Sequence, residues 1–162
     1  MTYKINMRAV IQRCEKTTIY AESDGDLQDR GSIGKGLLVL LGVEDGEKDE
    51  DLEYLLRKIV NLRIFNDGEG KMNLSVQDIQ GSVAVVSQFT LHANTKKGNR
   101  PSFNRAGDPK KAEFWYDKFV ENMQKRLNHG RVISGIFGAY MKVDFVNEGP
   151  VTIVLDSKNK EF

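Results

Sequence analysis

The run Val83-Ala84-Val85-Val86, entered through Gly81-Ser82 and left through Ser87-Gln88-Phe89-Thr90-Leu91, is the most apolar segment in the second half of the chain. It is short and rich in β-branched residues, which predicts a buried strand from Val83 to His92. Alternation along that strand would send Val85, Ser87, Phe89 and Leu91 to one face and Val86, Gln88, Thr90 and His92 to the other. A buried strand that ends in Ser, Gln and Thr brings hydroxyls, an amide and backbone N–H groups to the edge of a core. Each needs a partner, in the protein or in a ligand.

A second unusual stretch is Asn147-Glu148-Gly149-Pro150-Val151-Thr152. It lies between two strand-like runs, Ala139 to Val146 and Val151 to Leu155. Proline cannot donate to a ladder, so a kink, bulge or turn is required at Pro150. The X-Pro frequencies alone favour a trans bond, while Gly149 removes the Cβ clash and opens unusual backbone angles.

Upstream, Met7 to Ala21 reads as a strand, and Ser23-Asp24-Gly25-Asp26 as the turn of a hairpin. Leu37-Leu38-Val39-Leu40-Leu41 is continuous enough to be buried on both faces. Leu52, Leu55, Leu56 and Ile59 recur at helical spacing within Asp49 to Leu62, and Arg63-Ile64-Phe65 reads as a short strand. Asp108-Pro109 supplies an N-cap and a first-turn proline for a second helix, whose stripe is Ala112, Trp115, Tyr116, Phe119, Met123 and Leu127. Val132 to Ser134 is a further strand, and the tail after Asp156 is polar and expected to fray. The fold class is α+β: mostly antiparallel sheet with two amphipathic helices. One domain spans 1–162, with residues 157–162 as a polar tail.

The bulk numbers exclude several functions. A chain of 162 residues, 40% apolar and 29% charged, has the composition of a soluble globular domain. The net charge of +1 argues against binding nucleic acid through the whole surface. A local exception runs from Lys96 to Lys111, where six basic residues, among them Lys96, Lys97 and Arg100, face one acid. Such a segment is either a solvated loop or a phosphate-contacting arm. The single cysteine, Cys14, excludes an internal disulfide and fits a reducing compartment. No apolar run approaches the ~18 residues of a membrane span, and no signal peptide opens the chain. A cytoplasmic protein is expected.

Other motifs carry little chemistry. Gly34-Lys35-Gly36 lacks the third glycine of a phosphate loop, and Asn66-Asp67-Gly68-Glu69-Gly70 lacks calcium-ligand spacing. His92 and His129 have no cysteine or carboxylate at ligand spacing, so no metal and no cofactor are expected. Cys14 reads as a small buried apolar residue. Thr90 with His92 as base is chemically allowable, although strand neighbours two apart lie about 6.6 Å from each other. Backbone amides at the strand end are the alternative, as an oxyanion hole.

Ser87-Gln88-Phe89-Thr90-Leu91 together with Asn147-Glu148-Gly149-Pro150-Val151-Thr152 resembles the two signature motifs of the D-aminoacyl-tRNA deacylases. Met7 to Arg13, Gly34 to Gly42, Asn61 to Phe65, Thr95 to Phe103 and Phe137-Gly138-Ala139 also fall in that family's order. The resemblance implies a homodimer that hydrolyses the ester between a D-amino acid and the terminal adenosine of tRNA, and also removes glycine mischarged onto tRNA(Ala). It implies that Gly149-Pro150 is cis and reaches into the partner subunit's site. There its carbonyls would exclude an L side chain. It assigns the aminoacyl group to the Ser87–Thr90 backbone, with amides near Gln88 and Phe89 polarising the carbonyl, and Thr90 ranked below them as a nucleophile. Phe137, Gly138 and Ala139 would border the adenosine, Arg13 would orient the Gly-Pro loop, and Lys96, Lys97 and Arg100 would contact tRNA. Two departures stand out: His92 replaces the family's usual Tyr or Phe, and residues 1–6 extend beyond its usual start. A nucleic-acid-binding protein on the same fold, with little hydrolytic activity, is the competing reading.

Overall fold

The computed structural model describes residues 6–46, 49–128 and 130–161. The N-terminal extension, apart from Asn6, and His129 lie outside these residues. Strand β1 (Met7–Ser23) is the longest element of the sheet and turns through Asp24-Gly25 into β2 (Asp26–Ile33). Next come β3 (Gly36–Val43), α1 (Asp49–Asn61) and a small ribbon, β4 (Phe65–Asn66) with β5 (Met72–Leu74). The chain continues through β6 (Ser82–Ser87), a 3-10 turn at Phe89–His92, α2 (Pro109–Arg126), β7 (Val132–Ser134) and β8 (Met141–Asp156). It is an α+β domain with two helices.

β1 organises the sheet. It carries β8 along one edge, and β3 followed by β2 along the other. The remaining order runs β3-β6-β7. The expectation of a mostly antiparallel sheet needs correction, because β3 pairs β6 in parallel and β6 pairs β7 in parallel. The cause is the connections. α1 lies between β3 and β6, and α2 between β6 and β7, and a helix-length crossover returns the chain in the same direction.

The core lies on both faces of this sheet. Leu37, Val39, Leu41 and Val43 of β3 join Leu55, Ile59, Phe119 and Met123 from the helices. On the opposite face Leu38 meets Ala84, Val86 and Ile133, with Met141, Val143 and Phe145 of β8 packed against them. Both faces of β3 are covered, which accounts for its unbroken apolar run. The predicted N-cap is present: the Asp108 carboxylate accepts from the Lys111 N–H at 3.2 Å, with Pro109 in the first turn.

Three local expectations fail. The strand predicted to reach His92 stops at Ser87: the Gln88 N–H makes the last ladder bond, to the Leu41 carbonyl, and the chain then coils so that His92 turns into the interior against Gly42 and Glu44. The strand predicted from Ala139 begins at Met141, since Ile136 to Ala139 forms a turn with Gly138 at φ +74°. The residues after Asp156 do not fray at once. The Asp156 carboxylate accepts from the N–H groups of Lys158 and Asn159, and the Ser157 N–H donates to the Met7 carbonyl.

Candidate active site

The ladder between β1 and β8 is interrupted where the sequence requires it. Gln12 faces Thr152, but Cys14 faces Asn147, so residues 148–151 leave the pairing. Pro150, which has no N–H, therefore breaks no ladder bond. The Gly149–Pro150 peptide is cis, not the trans form that X-Pro frequency favours, and Gly149 sits at φ +125°. The Asn147 side chain spans the base of this loop, its Oδ1 accepting from Val151 N–H at 3.4 Å and its Nδ2 donating to Thr152 Oγ1 at 3.3 Å.

Arg13, 7% exposed, grips the loop from β1. Its Nε donates to the Glu148 carbonyl at 3.1 Å, and Nη1 to the Ile64 carbonyl at 2.8 Å and to Asn66 Oδ1 at 3.4 Å. A planar, permanently charged fork can serve several acceptors at once, which a lysine cannot. A Cβ added to Gly149 would lie 2.9 Å from Val151 Cγ2 and 3.0 Å from Arg13 Nη2. Glycine is thus required here by close approach as well as by backbone angle.

The other motif opens onto a cavity of about 670 Å³. Ser87, Gln88 and Phe89 line one side, and Phe137, Gly138 and Ala139 another. Phe103, Tyr116 and Met141 complete walls that are mainly apolar. Phe89 is 58% exposed and meets Phe103 edge to face, with centroids 5.0 Å apart. Gln88 Nε2 donates to Thr90 Oγ1. The Gln88 N–H is already committed to Leu41 O at 2.7 Å. The first-turn N–H groups of Phe89, which lines the cavity, and of Thr90, which is exposed beside it and lines no part of it, have no intrahelical partner.

His92 lies behind this turn. It is 1% exposed, with Nδ1 2.9 Å from Glu44 Oε1. Burial pulls its pKa below the ordinary value, outweighing the Gly42 backbone and the Glu44 carboxylate, which favour the charged form. An imidazole buried behind the turn and sealed against Glu44 is not placed to act as a base for Thr90. Burial pushes the Cys14 thiol up, so it is no nucleophile. Burial likewise raises the Tyr116 phenol to about 12, and its hydroxyl donates to the Val85 carbonyl at 3.0 Å. Among the described residues no cluster of histidine, cysteine or carboxylate side chains has the form of a metal site.

Within one chain the two motifs do not share a cavity: Arg13, Gly149 and Pro150 are absent from the walls that Ser87–Phe89 and Phe137–Ala139 build. Lys96, Lys97 and Arg100 are exposed on the loop that follows the turn, and they line no part of the cavity either. Sequence reasoning missed Phe103, which lies within a stretch quoted for the resemblance, and it assigned Tyr116 wholly to the core. It also missed Glu44, whose only signal was a carboxylate at the end of an otherwise apolar strand.

Comparison with known proteins agrees across the chain. The sequence profile described as D-Tyr-tRNA(Tyr) deacylase matches residues 10–156. A D-aminoacyl-tRNA deacylase of Flavobacterium johnsoniae is 50% identical over 155 residues, covering 96% of this chain and 100% of that protein. Among solved structures, the c-Myc DNA Unwinding Element Binding Protein aligns with a TM-score of 0.80 at 40% identity, over 91% of this chain and 97% of that one. A probable eukaryotic D-amino acid tRNA deacylase shares the fold, with a TM-score of 0.77 at 20% identity, over 93% of this chain and 99% of that one. The chain belongs to the D-Tyr-tRNA(Tyr) deacylase family.

Proposed function

We propose that the protein acts as a homodimer that hydrolyses D-aminoacyl-tRNA to free tRNA and D-amino acid, and rejects the L ester through Gly149-Pro150 of the second subunit. Deacylase activity follows from family membership over residues 10–156. The observation that carries the finer reading is the separation of the motifs. One chain builds a cavity from Ser87–Phe89 and Phe137–Ala139 but leaves Gly149-Pro150 outside it. A second copy that brings its loop to the cavity mouth would complete the site.

In this reading water attacks the ester carbonyl, the C–O bond to the ribose breaks, and the ribose oxygen leaves with a proton. The Phe89 and Thr90 N–H groups stabilise the oxyanion. The ribose 2′-OH beside the scissile bond assists the water. The Thr90 hydroxyl, which accepts from Gln88 Nε2, holds the turn and is not the nucleophile. Phe137, Gly138 and Ala139 border the terminal adenosine, and Lys96, Lys97 and Arg100 meet the phosphates. The Gly149 and Pro150 carbonyls, held by Arg13, leave no room for an L side chain at the α-carbon. Glycine has none to exclude, so glycyl-tRNA(Ala) is also a substrate. A tRNA substrate and a reduced cysteine fit the cytoplasm.

Mixed dimers test the cross-subunit step. Phe89→Pro removes one oxyanion donor, and Gly149→Ala distorts the loop. When the two variants are mixed, an active cavity from the second is paired with an intact loop from the first. The D/L ratio of the parent should return. A ratio that stays as low as that of Gly149→Ala alone would place the loop in the cavity of its own chain.

One observation favours a second reading, nucleic-acid binding without hydrolysis: the 40% identical relative named as a DNA unwinding element binding protein, together with the exposed Lys96, Lys97 and Arg100.

A further inference from the structure

The turn Phe89–His92 lies outside the sheet ladder, yet the direction of its N–H groups decides whether the cavity can stabilise an oxyanion. Two main-chain contacts hold its ends: Gln88 N–H to Leu41 O at 2.7 Å, and Arg8 Nη1 to Leu91 O at 3.1 Å. The turn is closed on itself by Leu91 N–H to Gln88 O at 3.3 Å and Ala93 N–H to Thr90 O at 3.2 Å, and the chain leaves it through the Asn94–Ser102 pairing. Of its side chains, Phe89 and Thr90 are exposed and Leu91 is half-buried. His92 alone enters the interior.

There the ring is seated on Gly42 so closely that a Cβ at that position would come within 2.8 Å of Nε2 and 3.0 Å of the Gln88 carbonyl. Nδ1 faces Glu44 Oε1 at 2.9 Å. The Glu44 carboxylate also accepts from the Asn6 N–H at 3.2 Å and lies 3.5 Å from Arg105 Nε. Arg105 belongs to the segment that carries Phe103, and that segment is itself fastened to β3 by Gly107 N–H to Val43 O at 3.1 Å. Glu44 therefore ties two walls of the cavity mouth, the Phe89 turn and the Phe103 segment, whose rings touch across the opening.

We propose that His92 is a positioning residue for the deacylation: its buried imidazole, seated on Gly42 and paired with Glu44, sets the roll of the Phe89–His92 turn and so the aim of the Phe89 and Thr90 N–H groups. The inference rests on the deacylase reading above. It requires no contact between His92 and substrate. A ring of Tyr or Phe could fill the same volume but would not engage Glu44 in this way. The chain thus fixes its catalytic turn through a polar anchor.

Single-turnover hydrolysis of D-Tyr-tRNA separates rate from affinity. His92→Ala should lower the maximal rate about tenfold to a hundredfold, the scale expected when reacting groups are displaced by up to an ångström. Half-saturation should stay within about twofold. His92→Gln, which keeps an N–H toward Glu44, should recover the rate to within about threefold of the parent. If His92→Ala does not fold, Glu44→Gln tests the same link, with a rate loss of roughly threefold to tenfold at unchanged affinity. Combined with His92→Gln it should lose less than the product of the single losses. Parental rates in both His92→Ala and Glu44→Gln would overturn the inference. So would a defect confined to half-saturation. A parent that leaves the D ester intact would instead overturn the deacylase reading, and the inference with it.

Discussion

Replacing Arg13 by lysine probes the link between the sheet and the Gly149-Pro150 loop. The guanidinium serves the Glu148 and Ile64 carbonyls at 3.1 and 2.8 Å from two different nitrogens. An ammonium in the same buried site can reach one of them. Arg13→Lys would therefore keep the charge and lose one charge-assisted hydrogen bond, a cost of about 1.5–3 kcal/mol. For a domain of this size that corresponds to a fall in Tm of about 3–12 °C. If the same free energy holds the loop carbonyls against the substrate α-carbon, the D/L ratio of hydrolysis should fall roughly tenfold to a hundredfold. Thermal unfolding gives the first number, and paired single-turnover reactions on D-Tyr-tRNA and L-Tyr-tRNA give the second. A drop in Tm with an unchanged D/L ratio would refute the reasoning, because it would make Arg13 a structural residue with no hold on discrimination.

Three further outcomes are expected. Gly149→Ala places a Cβ against Val151 and Arg13 at a φ of +125° that L residues avoid, and should cost about 1–3 kcal/mol of stability; its D/L ratio should fall at least about tenfold, and parental discrimination would remove the loop from the mechanism. Lys96→Glu with Lys97→Glu should flatten the log–log salt dependence of tRNA binding by roughly 1.4–1.8 units if each lysine meets one phosphate, whereas an unchanged slope would assign both to solvent. Because burial lowers the pKa of His92, the unfolded chain binds more protons than the folded one below the ordinary value of 6.5. The imidazole's contribution to stability is then complete above 6.5 and is lost as pH falls toward the folded value. Glu44 and Arg8 act on this group, with Arg105 3.5 Å from Glu44 beyond it, and His92→Phe should lessen the fall in Tm between pH 6.5 and about 5.

Much of this was legible in local chemistry. Asp108-Pro109 announced α2 because capping is decided within one turn. The leucine spacing announced α1, and Ser23 to Asp26 the hairpin, for the same reason. The parallel pairing of β6 was present in the strand–helix–strand order on either side of it but was outweighed by the hairpin signals. The turn at Phe89–His92 was not legible, because alternation continues through Leu91 on paper. What ends the strand is a contact distant in sequence, His92 packing into the space that Gly42 leaves beside Glu44. Pro150 announced a break in the β1–β8 ladder, but its separation from the Ser87 cavity depends on the tertiary fold. The motifs pointed to one site, and within one chain they lie apart.

Chiral discrimination is tested most directly by hydrolysis of D-Tyr-tRNA and L-Tyr-tRNA by the purified protein in single turnover. Rapid loss of the D ester is predicted, with the L ester left intact. Equal hydrolysis of both would contradict exclusion by Gly149-Pro150. Hydrolysis of neither, with tight binding of nucleic acid, would contradict the catalytic reading of the cavity itself.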